Sequence, residues 1–406
     1  MDFLDFITEQ KNTHMTHIED KVLYGGVNGT RQAINALREL RNMLAGKKEG
    51  GVSVKWDGAP AIFAGIDPRD GEFFVAKKGI FNKNPKVYKT AAEIDADTSG
   101  DLAVKLKDAL QYLPDLGIKG VIQGDFLFGR GDLRTKTIDG QTYTTFHPNT
   151  IVYAIPKGQD KEVKSAKIGI VWHTTYTGRT FETMKASYGV NVARLKKSRN
   201  VWSQDAMLRD VRGATMSAKE TEKVNAILSE IGTLFNSISG STLRQLESNQ
   251  SLAQHIEQFN NTYVRQGARI TNTTAHAAGL IRWIESKYKK EIDARKTAKG
   301  KATQQQKLDD LLSFFSTSNK KSLIKMFELQ KLIVDAKLIL INNLNKIGSL
   351  ETFVKTNKGY KVTGQEGYVA IDTLGGDAVK LVDRMEFSYN NFSPDILKGW
   401  QKPSRR

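Results

Sequence analysis

The spacing of apolar residues changes twice along the 406-residue chain, and this limits the folds that are open to it. Between about residues 52 and 177, short apolar runs alternate with Gly, Asp and Asn turns, which is the pattern of a β-sheet. From about 180 to 350 glycines thin out and apolar residues recur at helical spacing, as at Val224 and Leu228. Short strands return from Tyr360. The pattern predicts one sheet domain interrupted by a helical insertion that has the size of a domain.

We therefore predict an α+β protein with four consecutive segments. Residues 1–50 form N-terminal helices that pack on the core, and residues 51–180 form the first part of the sheet domain. Residues 181–355 form the helical insertion, in which Leu323–Ile347 is the most apolar helix and the expected centre. Residues 356–406 complete the sheet domain with its last strands and a tail.

The composition indicates the partner and the compartment. There are 61 lysines and arginines against 44 acidic residues, and the net charge of +17 attracts polyanions, so nucleic acid is the expected partner. The chain has no cysteine, which excludes disulfides, thiolate zinc sites and a cysteine nucleophile, and is typical of a reducing cytosol. The start MDFLDFITEQ is not that of a signal peptide, and no apolar run approaches the roughly 20 residues of a membrane span. We expect a cytoplasmic monomer without membrane contact.

The most informative motif begins at Lys55. This lysine follows the apolar run Val52–Val54 and precedes Asp57 and Gly58 at a turn, which holds its amine rigidly at the end of a strand. The Lys-x-Asp-Gly sequence resembles the nucleotidyl-attachment motif of ATP-dependent DNA ligases, RNA ligases and mRNA capping enzymes. The segments that follow strengthen the resemblance, because they occur in the order of that superfamily's further motifs.

Three of these segments precede the helical insertion. Ala76–Gly79 matches a small-Arg/Lys-x-Gly motif, in which Lys77 or Lys78 would contact the ribose or a phosphate. Asp125 follows Gly124 where the family has Gly-Glu-hydrophobic, so that Asp replaces the usual Glu. Tyr153 takes the place of the aromatic residue that stacks on the purine.

Two more segments follow the insertion. Glu366 stands in a Glu-Gly strand whose carboxylate assists metal binding in the family, and Lys380 stands in the last motif, where a lysine reaches the α-phosphate. The resemblance implies that Asp125 and Glu366 hold Mg²⁺, or Mn²⁺, since hard carboxylate oxygens suit these ions. It covers about residues 50–180 and 360–385.

The resemblance implies an ATP-dependent polynucleotide ligase built on an antiparallel-sheet, ATP-grasp-like nucleotidyltransferase domain. Lys55 would take AMP from ATP and pass it to a 5′-phosphate end, which a 3′-hydroxyl then attacks. Val54, Asp57 and Gly58 would line the ATP site. The attacking amine must be uncharged, although free lysine titrates at about 10.4, and neighbouring cations such as Lys380 would lower its pKa.

The end of the chain limits this resemblance. Only 26 residues follow Lys380, too few for the oligonucleotide-binding barrel of DNA ligases and capping enzymes. We expect the helical insertion to clamp nucleic acid instead, through Arg282, Lys287, Lys289 and Lys290. The compact layout is similar to that of viral ligases, which would place the protein in a host cytoplasm.

The predicted reaction is nick sealing in duplex DNA or in an RNA-containing duplex. An RNA ligase acting on single-stranded ends and a guanylyltransferase that uses GTP on the same lysine are alternatives. A non-catalytic nucleic-acid-binding protein, in which the lysine motif is accidental, is a further one.

Overall fold

The fold is that of a computed structural model, which describes residues 15–46, 51–208, 216–347, 350–371 and 378–400. Within these ranges the prediction of an α+β protein is confirmed, with largely antiparallel sheets and a large helical unit. The strands are β1 (Gly51–Lys55), β2 (Ala61–Ile66), β3 (Phe73–Ala76), β4 (Val121–Gly129), β5 (Arg134–Ile138), β6 (Gln141–Phe146), β7 (Ile151–Pro156), β8 (Ile168–Thr177), β9 (Lys185–Tyr188), β10 (Val201–Asp205), β11 (Glu351–Thr356), β12 (Gly359–Val362), β13 (Gly367–Ile371), β14 (Ala378–Leu381) and β15 (Ile396–Leu397).

Six of the twelve helices of the described residues lie between β10 and β11, and they include the longest one. They are α1 (Lys21–Tyr24), α2 (Gly26–Leu44), α3 (Ala91–Asp97), α4 (Gly100–Tyr112), α5 (Lys161–Ser165), α6 (Ala218–Asn236), α7 (Gly240–Ser248), α8 (Gln250–Arg265), α9 (Thr273–Asp293), α10 (Ala298–Ser313), α11 (Thr317–Leu344) and α12 (Arg384–Phe392). Among the described residues, no helix combines the length and the apolar character that crossing a membrane would require.

The strands of the described ranges form three sheets. One has the order β10-β8-β4-β2-β3 with β9 added to β8, and a second has the order β12-β11-β7-β6-β5 with β15 added to β11. The third, which we call the site sheet, has the order β1-β13-β14. Of the strand pairs, β8 with β10 is parallel and the others are antiparallel. The site sheet therefore joins a strand that precedes the helical unit to two strands that follow it.

The sheets extend further along the chain than the apolar pattern predicts. β10 pairs with β8 beyond the predicted boundary at residue 180, and β11 pairs with β7 inside the segment 181–355. Both strands are short, with five and six residues, so neither gives a run long enough to stand out from its surroundings. Parts of the predicted segments lie outside the described residues. These include 1–14 and 47–50 of the predicted N-terminal helices and 401–406 of the predicted tail.

One apolar core connects the N-terminal helices, the helical unit and the site sheet. It includes Leu37 of α2, Leu340 of α11 and Leu381 of β14, and each of these is fully buried. Helix α11 is buried along most of its length, as expected for the most apolar helix at the centre of the unit. The inner face of the site sheet thus rests on the helical unit, which leaves its other face to carry polar groups.

Buried ion pairs hold the N-terminal segment against this core. The Lys337 amine of α11 donates to both carboxylate oxygens of Glu19, at 2.8 and 2.9 Å, and Arg384 of α12 donates to Asp20 at 2.7 Å. Burial favours the neutral form of Glu19, but Lys337 and the other nearby cations outweigh it and lower the pKa of Glu19 to about 2. Two residues before Glu19, His17 bridges to the β14 residue Lys380. The N-terminal segment therefore supports β14 from outside the site sheet.

Replacing Lys337 by alanine should lower the free energy of unfolding by about 3 kcal/mol, because the buried Glu19 loses its closest cation and keeps the longer contact with Arg384, at 3.5 Å. Lys331→Ala is the matched control on the same helix, since it removes a half-exposed pair with Glu328 and should cost under about 1 kcal/mol. Urea unfolding followed by circular dichroism measures both values. Similar small costs would mean that the buried pair does not anchor the N-terminal segment.

Candidate functional site

Lys55 ends β1 on the outer face of the site sheet. It lies opposite Gly367, and its amine forms an ion pair with a carboxylate oxygen of Glu366. The Lys55 side chain is 32% exposed, whereas that of Glu366 is 11% exposed, so the amine can be reached from solvent above a mostly buried carboxylate. Burial raises the pKa of Glu366, although the charge of Lys55 opposes this shift.

Lys380 joins this pair from β14. Val369 of β13 is the partner of Ser53 on one side and of Lys380 on the other, two rows from the Lys55–Gly367 row. Because cross-strand partners share a face and side chains alternate along a strand, both lysines emerge on the same face. Burial lowers the pKa of Lys380 and the charge of Lys55 lowers it further, while Glu366 acts in the opposite direction.

The turn after Lys55 is fixed by Asp57. This buried carboxylate accepts hydrogen bonds from the Asn149 amide at 2.8 Å and from the backbone N–H groups of Thr150 and Ile151 at 2.6 and 2.7 Å. Both of its oxygens are therefore engaged by the protein. Asp57 positions the Lys55 turn against the start of β7, which differs from the direct ATP contact that the motif predicts.

Gly58 lets the same turn lie directly on β4. A Cβ atom added at Gly58 would lie 2.6 Å from the Cβ of Asp125 and 3.0 Å from the carbonyl oxygen of Phe126. The next residue, Ala59, donates its N–H to that same carbonyl at 2.9 Å. Only a residue without a side chain permits this approach, and it brings Asp125 beside the turn that carries Lys55.

His173 is a site residue that the sequence reasoning missed. Its Nε2 lies 3.6 Å from a carboxylate oxygen of Asp125, and both side chains are about one quarter exposed. Asp125 pairs with Val171 of β8, and the register shift between Gln123 and Gly124 leaves His173 as an extra residue of β8 beside Asp125. The apolar run Ile168–His173 gives no alternation that marks His173, and its place beside Asp125 depends on β8 being the neighbour of β4.

The two lysines of the Ala76–Gly79 motif have different surroundings. Lys77 forms a salt bridge of 3.0 Å with Asp97 of α3, and Lys78 is exposed. Burial tends to lower the pKa of Lys77, but its hydrogen bonds to Asp97 and Tyr88 outweigh burial and raise it. Since Lys77 is held by the protein, Lys78 is the better placed of the two to meet a phosphate.

Tyr153 lies inside the core and supports the Lys55 turn. Its ring stacks on Trp56 at 5.0 Å between centroids and on Phe146 at 5.3 Å, and the residue has no exposed surface. Its hydroxyl oxygen accepts a hydrogen bond from the backbone N–H of Asp57 at 2.7 Å. In this arrangement the ring offers no face to a purine, so the predicted stacking role does not fit the structure.

The two acidic residues of the site, Asp125 and Glu366, could hold a metal ion only together with ligands from a bound substrate or from water. Asp125 and Glu366 come from different sheets, and among the described residues there is no cluster of three or more His, Asp or Glu side chains that could hold an ion. Mg²⁺ is commonly held by one or two carboxylates together with substrate phosphates and water. These two residues therefore fit a metal that arrives with a nucleotide better than a resident metal centre.

The predicted nucleic-acid contacts lie on α9. Arg282, Lys289 and Lys290 are exposed, whereas Lys287 donates to Gln258 at 2.9 Å and is held by the protein. The turn into α10 adds further exposed cations. Together they form a surface that we call the basic turn, which consists of Lys289, Lys290, Arg295, Lys296, Lys299 and Lys301. Within the described ranges none of these six side chains forms a salt bridge.

Comparison with known proteins defines the family. Residues 12–395 match DUF6267, a family of unknown function, and because the match spans most of the chain the protein belongs to this family. No curated protein and no solved structure matches the chain. The case for a function therefore depends on the geometry of the site.

Gly58→Ala should displace the Lys55 turn from β4 and cost about 1–3 kcal/mol of stability, as overpacking does. Gly79→Ala is the control in the neighbouring motif, because its new Cβ would have only ordinary contacts, at 3.6 and 3.7 Å. Chemical unfolding compares the two, and hydrogen exchange reports whether the backbone amides near Gly58 lose protection. Equal behaviour of both variants would argue against the close contact with Asp125.

Proposed function

We propose that the protein is an ATP-dependent polynucleotide ligase that carries AMP on Lys55. The proposal rests on one observation: Lys55, Glu366 and Lys380 lie together on one face of the site sheet. The close contact at Gly58 places Asp125 beside the turn that carries Lys55. These residues come from stretches on both sides of the helical unit. A solvent-accessible amine between a carboxylate and a second cation is the arrangement that phosphoryl transfer to a lysine needs.

The first step forms a phosphoramidate. The Lys55 nitrogen attacks the α-phosphorus of ATP, the N–P bond forms, and the bond to the pyrophosphate oxygen breaks as pyrophosphate leaves. The ammonium proton has to leave the amine, and Glu366, which is paired with it and whose pKa is raised by burial, is placed to accept this proton. The lysine is then linked to AMP.

The charge that develops on the α-phosphate falls near Lys380. This lysine shares the face of Lys55 and is mostly buried, where a positive charge stabilises a phosphoryl transition state more strongly than in water. Mg²⁺ bound with the nucleotide would be held by Asp125, and by Glu366 in the steps in which this residue is ionised, and would neutralise phosphate charge. Lys78, which is exposed two residues after the end of β3, would meet the ribose or a phosphate.

The later steps use the same groups. A 5′-phosphate oxygen attacks the α-phosphorus of the lysine-bound AMP and releases the Lys55 amine, and a 3′-hydroxyl then attacks the activated 5′-phosphorus and releases AMP. Both are phosphoryl transfers that depend on positioning and charge stabilisation. A nicked duplex and single-stranded ends are the two substrate forms to compare.

Purified protein incubated with Mg²⁺ and ATP should gain the mass of one adenylyl group on Lys55, because that amine is the proposed nucleophile. Lys55→Ala should abolish both the adduct and end joining, and a chelator should abolish the adduct in the unchanged protein. Lys136→Ala, which removes an exposed lysine of β5, should leave both intact. Intact-mass spectrometry with peptide mapping measures the adduct.

The outcome also separates the alternatives. Labelling by α-labelled GTP in place of ATP would indicate a guanylyltransferase. Retention on DNA or RNA without any adduct, together with unchanged behaviour of Lys55→Ala, would contradict the ligase proposal and favour a non-catalytic nucleic-acid-binding protein.

The basic turn is proposed as the clamp on the nucleic-acid backbone, since its cations are exposed and form no salt bridge among the described residues. Lys289→Glu combined with Lys290→Glu should weaken nucleic-acid binding and reduce the slope of log affinity against log salt by about two, because each lysine neutralises about one phosphate. The lysine–AMP adduct should persist. Fluorescence anisotropy over a salt series measures the slope.

The matched control reverses two exposed lysines elsewhere in the helical unit. Lys320→Glu with Lys321→Glu makes the same change of net charge at the start of α11. An equal effect of both pairs would mean that only the overall charge matters and would remove the basic turn from the proposal.

A further inference from the structure

Exposed aromatic side chains are concentrated near the end of the described chain. Six large hydrophobic residues are exposed among the described residues, and three of them lie between positions 389 and 400. These are Tyr389, Phe392 and Trp400, which are 43%, 74% and 70% exposed. We call them the aromatic surface. Single exposed apolar residues are ordinary, but a group of aromatic side chains in one short segment indicates a contact surface.

The local packing brings these side chains to one region. Tyr389 and Phe392 are three residues apart on α12 and are therefore neighbours on the helix surface. The Lys398 amine donates to the carbonyl oxygen of Asn390 at 2.7 Å, and Gly399 donates its N–H to the carbonyl oxygen of Asn149 at 2.6 Å. These bonds fix the segment that ends at Trp400 alongside α12.

The same helix reaches the candidate site. Phe387 lies 5.6 Å from the amine of Lys380, measured to the ring centre, and it lines a cavity of about 20 Å³ together with Asp57 and Glu366. A helix rises about 1.5 Å per residue, so Phe392 is only about 8 Å further along the axis than Phe387. At 3.6 residues per turn, Tyr389 and Phe392 lie on the side of α12 away from Phe387, so a polymer on the aromatic surface would pass around this short helix to bring its end to the site.

The charge beside the aromatic surface suits a polyanion. Lys361 of β12 lies 5.3 Å from the ring centre of Tyr389, and Lys358 is exposed in the preceding turn. Asp395 is the exposed acid of this segment. Proteins that bind single-stranded nucleic acid combine aromatic rings, on which bases stack, with cations that meet the backbone. An uncharged apolar partner would gain nothing from Lys361 and Lys358.

We propose that the aromatic surface stacks the unpaired bases of a single-stranded nucleic acid close to the end that is to be joined. This inference rests on the proposed function and deepens it, because it names single-stranded ends as the substrate class. Stacking does not depend on base identity, so little sequence preference is expected.

The test compares Tyr389→Ala with Phe392→Ala, singly and combined, against Val104→Ala, which removes an exposed apolar residue from α4. Binding of a 5′-phosphorylated single-stranded oligonucleotide is measured by fluorescence anisotropy, and a blunt duplex of the same sequence is the reference. The combined variant should bind the single strand about 10- to 100-fold more weakly, which corresponds to the loss of one or two stacked bases. Duplex affinity and the Val104→Ala variant should change by less than about twofold.

Trp400 gives an independent signal. Single-stranded oligonucleotide should quench part of the tryptophan fluorescence, because a base stacked on an indole quenches it, and Trp400→Phe should remove that part while the affinity is nearly kept. Circular dichroism confirms that each variant is folded, which is expected for exposed positions.

The lysine–AMP adduct separates this inference from the proposed function. Weaker single-strand binding with an intact adduct supports both. Weaker binding without any adduct in the unchanged protein contradicts the ligase but supports the aromatic surface. Unchanged single-strand affinity overturns the inference. So does concentration-dependent self-association that Phe392→Ala abolishes, because it would assign the surface to a second copy of the chain.

Discussion

The antiparallel pairing of β1 with β13 is the interaction on which the rest of the site depends. It places Lys55 opposite Gly367 although more than 300 residues of chain separate them, and it thereby brings Glu366 to the amine. Side chains alternate across a strand, so a slip of one residue would turn Lys55 towards the helical core and Val54 towards solvent. The register is fixed by the inner face, where Tyr368 and Leu381 are buried against the helical unit.

The helical unit explains how this long-range pairing is held. Closing a loop of such length costs conformational entropy, which an exposed three-stranded sheet alone would hardly offset. Here the loop is itself a packed unit whose core continues into the inner face of the site sheet. The pair of Lys337 with Glu19 adds the N-terminal segment, which in turn bonds to β14 through Thr16. The same elements that stabilise the fold therefore determine where Lys55, Glu366 and Lys380 meet.

Around the amine, the polar groups divide into those that are engaged by the surrounding protein and those that face the amine itself. Asp57 and Tyr153 use their hydrogen-bonding capacity on the turn after Lys55, and Lys77 is engaged by Asp97. Glu366 and Lys380 face the amine instead, since Glu366 pairs with it and Lys380 lies on the same face of the site sheet. A rigid turn beneath a reachable amine is the preorganisation that an attack in line with a leaving group requires.

Local apolar spacing was enough to predict the α+β class, the helical middle of the chain and the central helix α11, because long, regular segments show their period clearly. The order of motifs also predicted that Lys55, Glu366 and Lys380 belong together, and the site sheet brings them to one face. Two features became visible only in three dimensions. Trp56 and Phe146 cover the ring of Tyr153. His173 lies beside Asp125. Whether a side chain is buried, and which residues lie beside it in a sheet, depends on which strands pair. Strand pairing joins residues that are far apart in the chain, so no local sequence pattern shows which strands are neighbours.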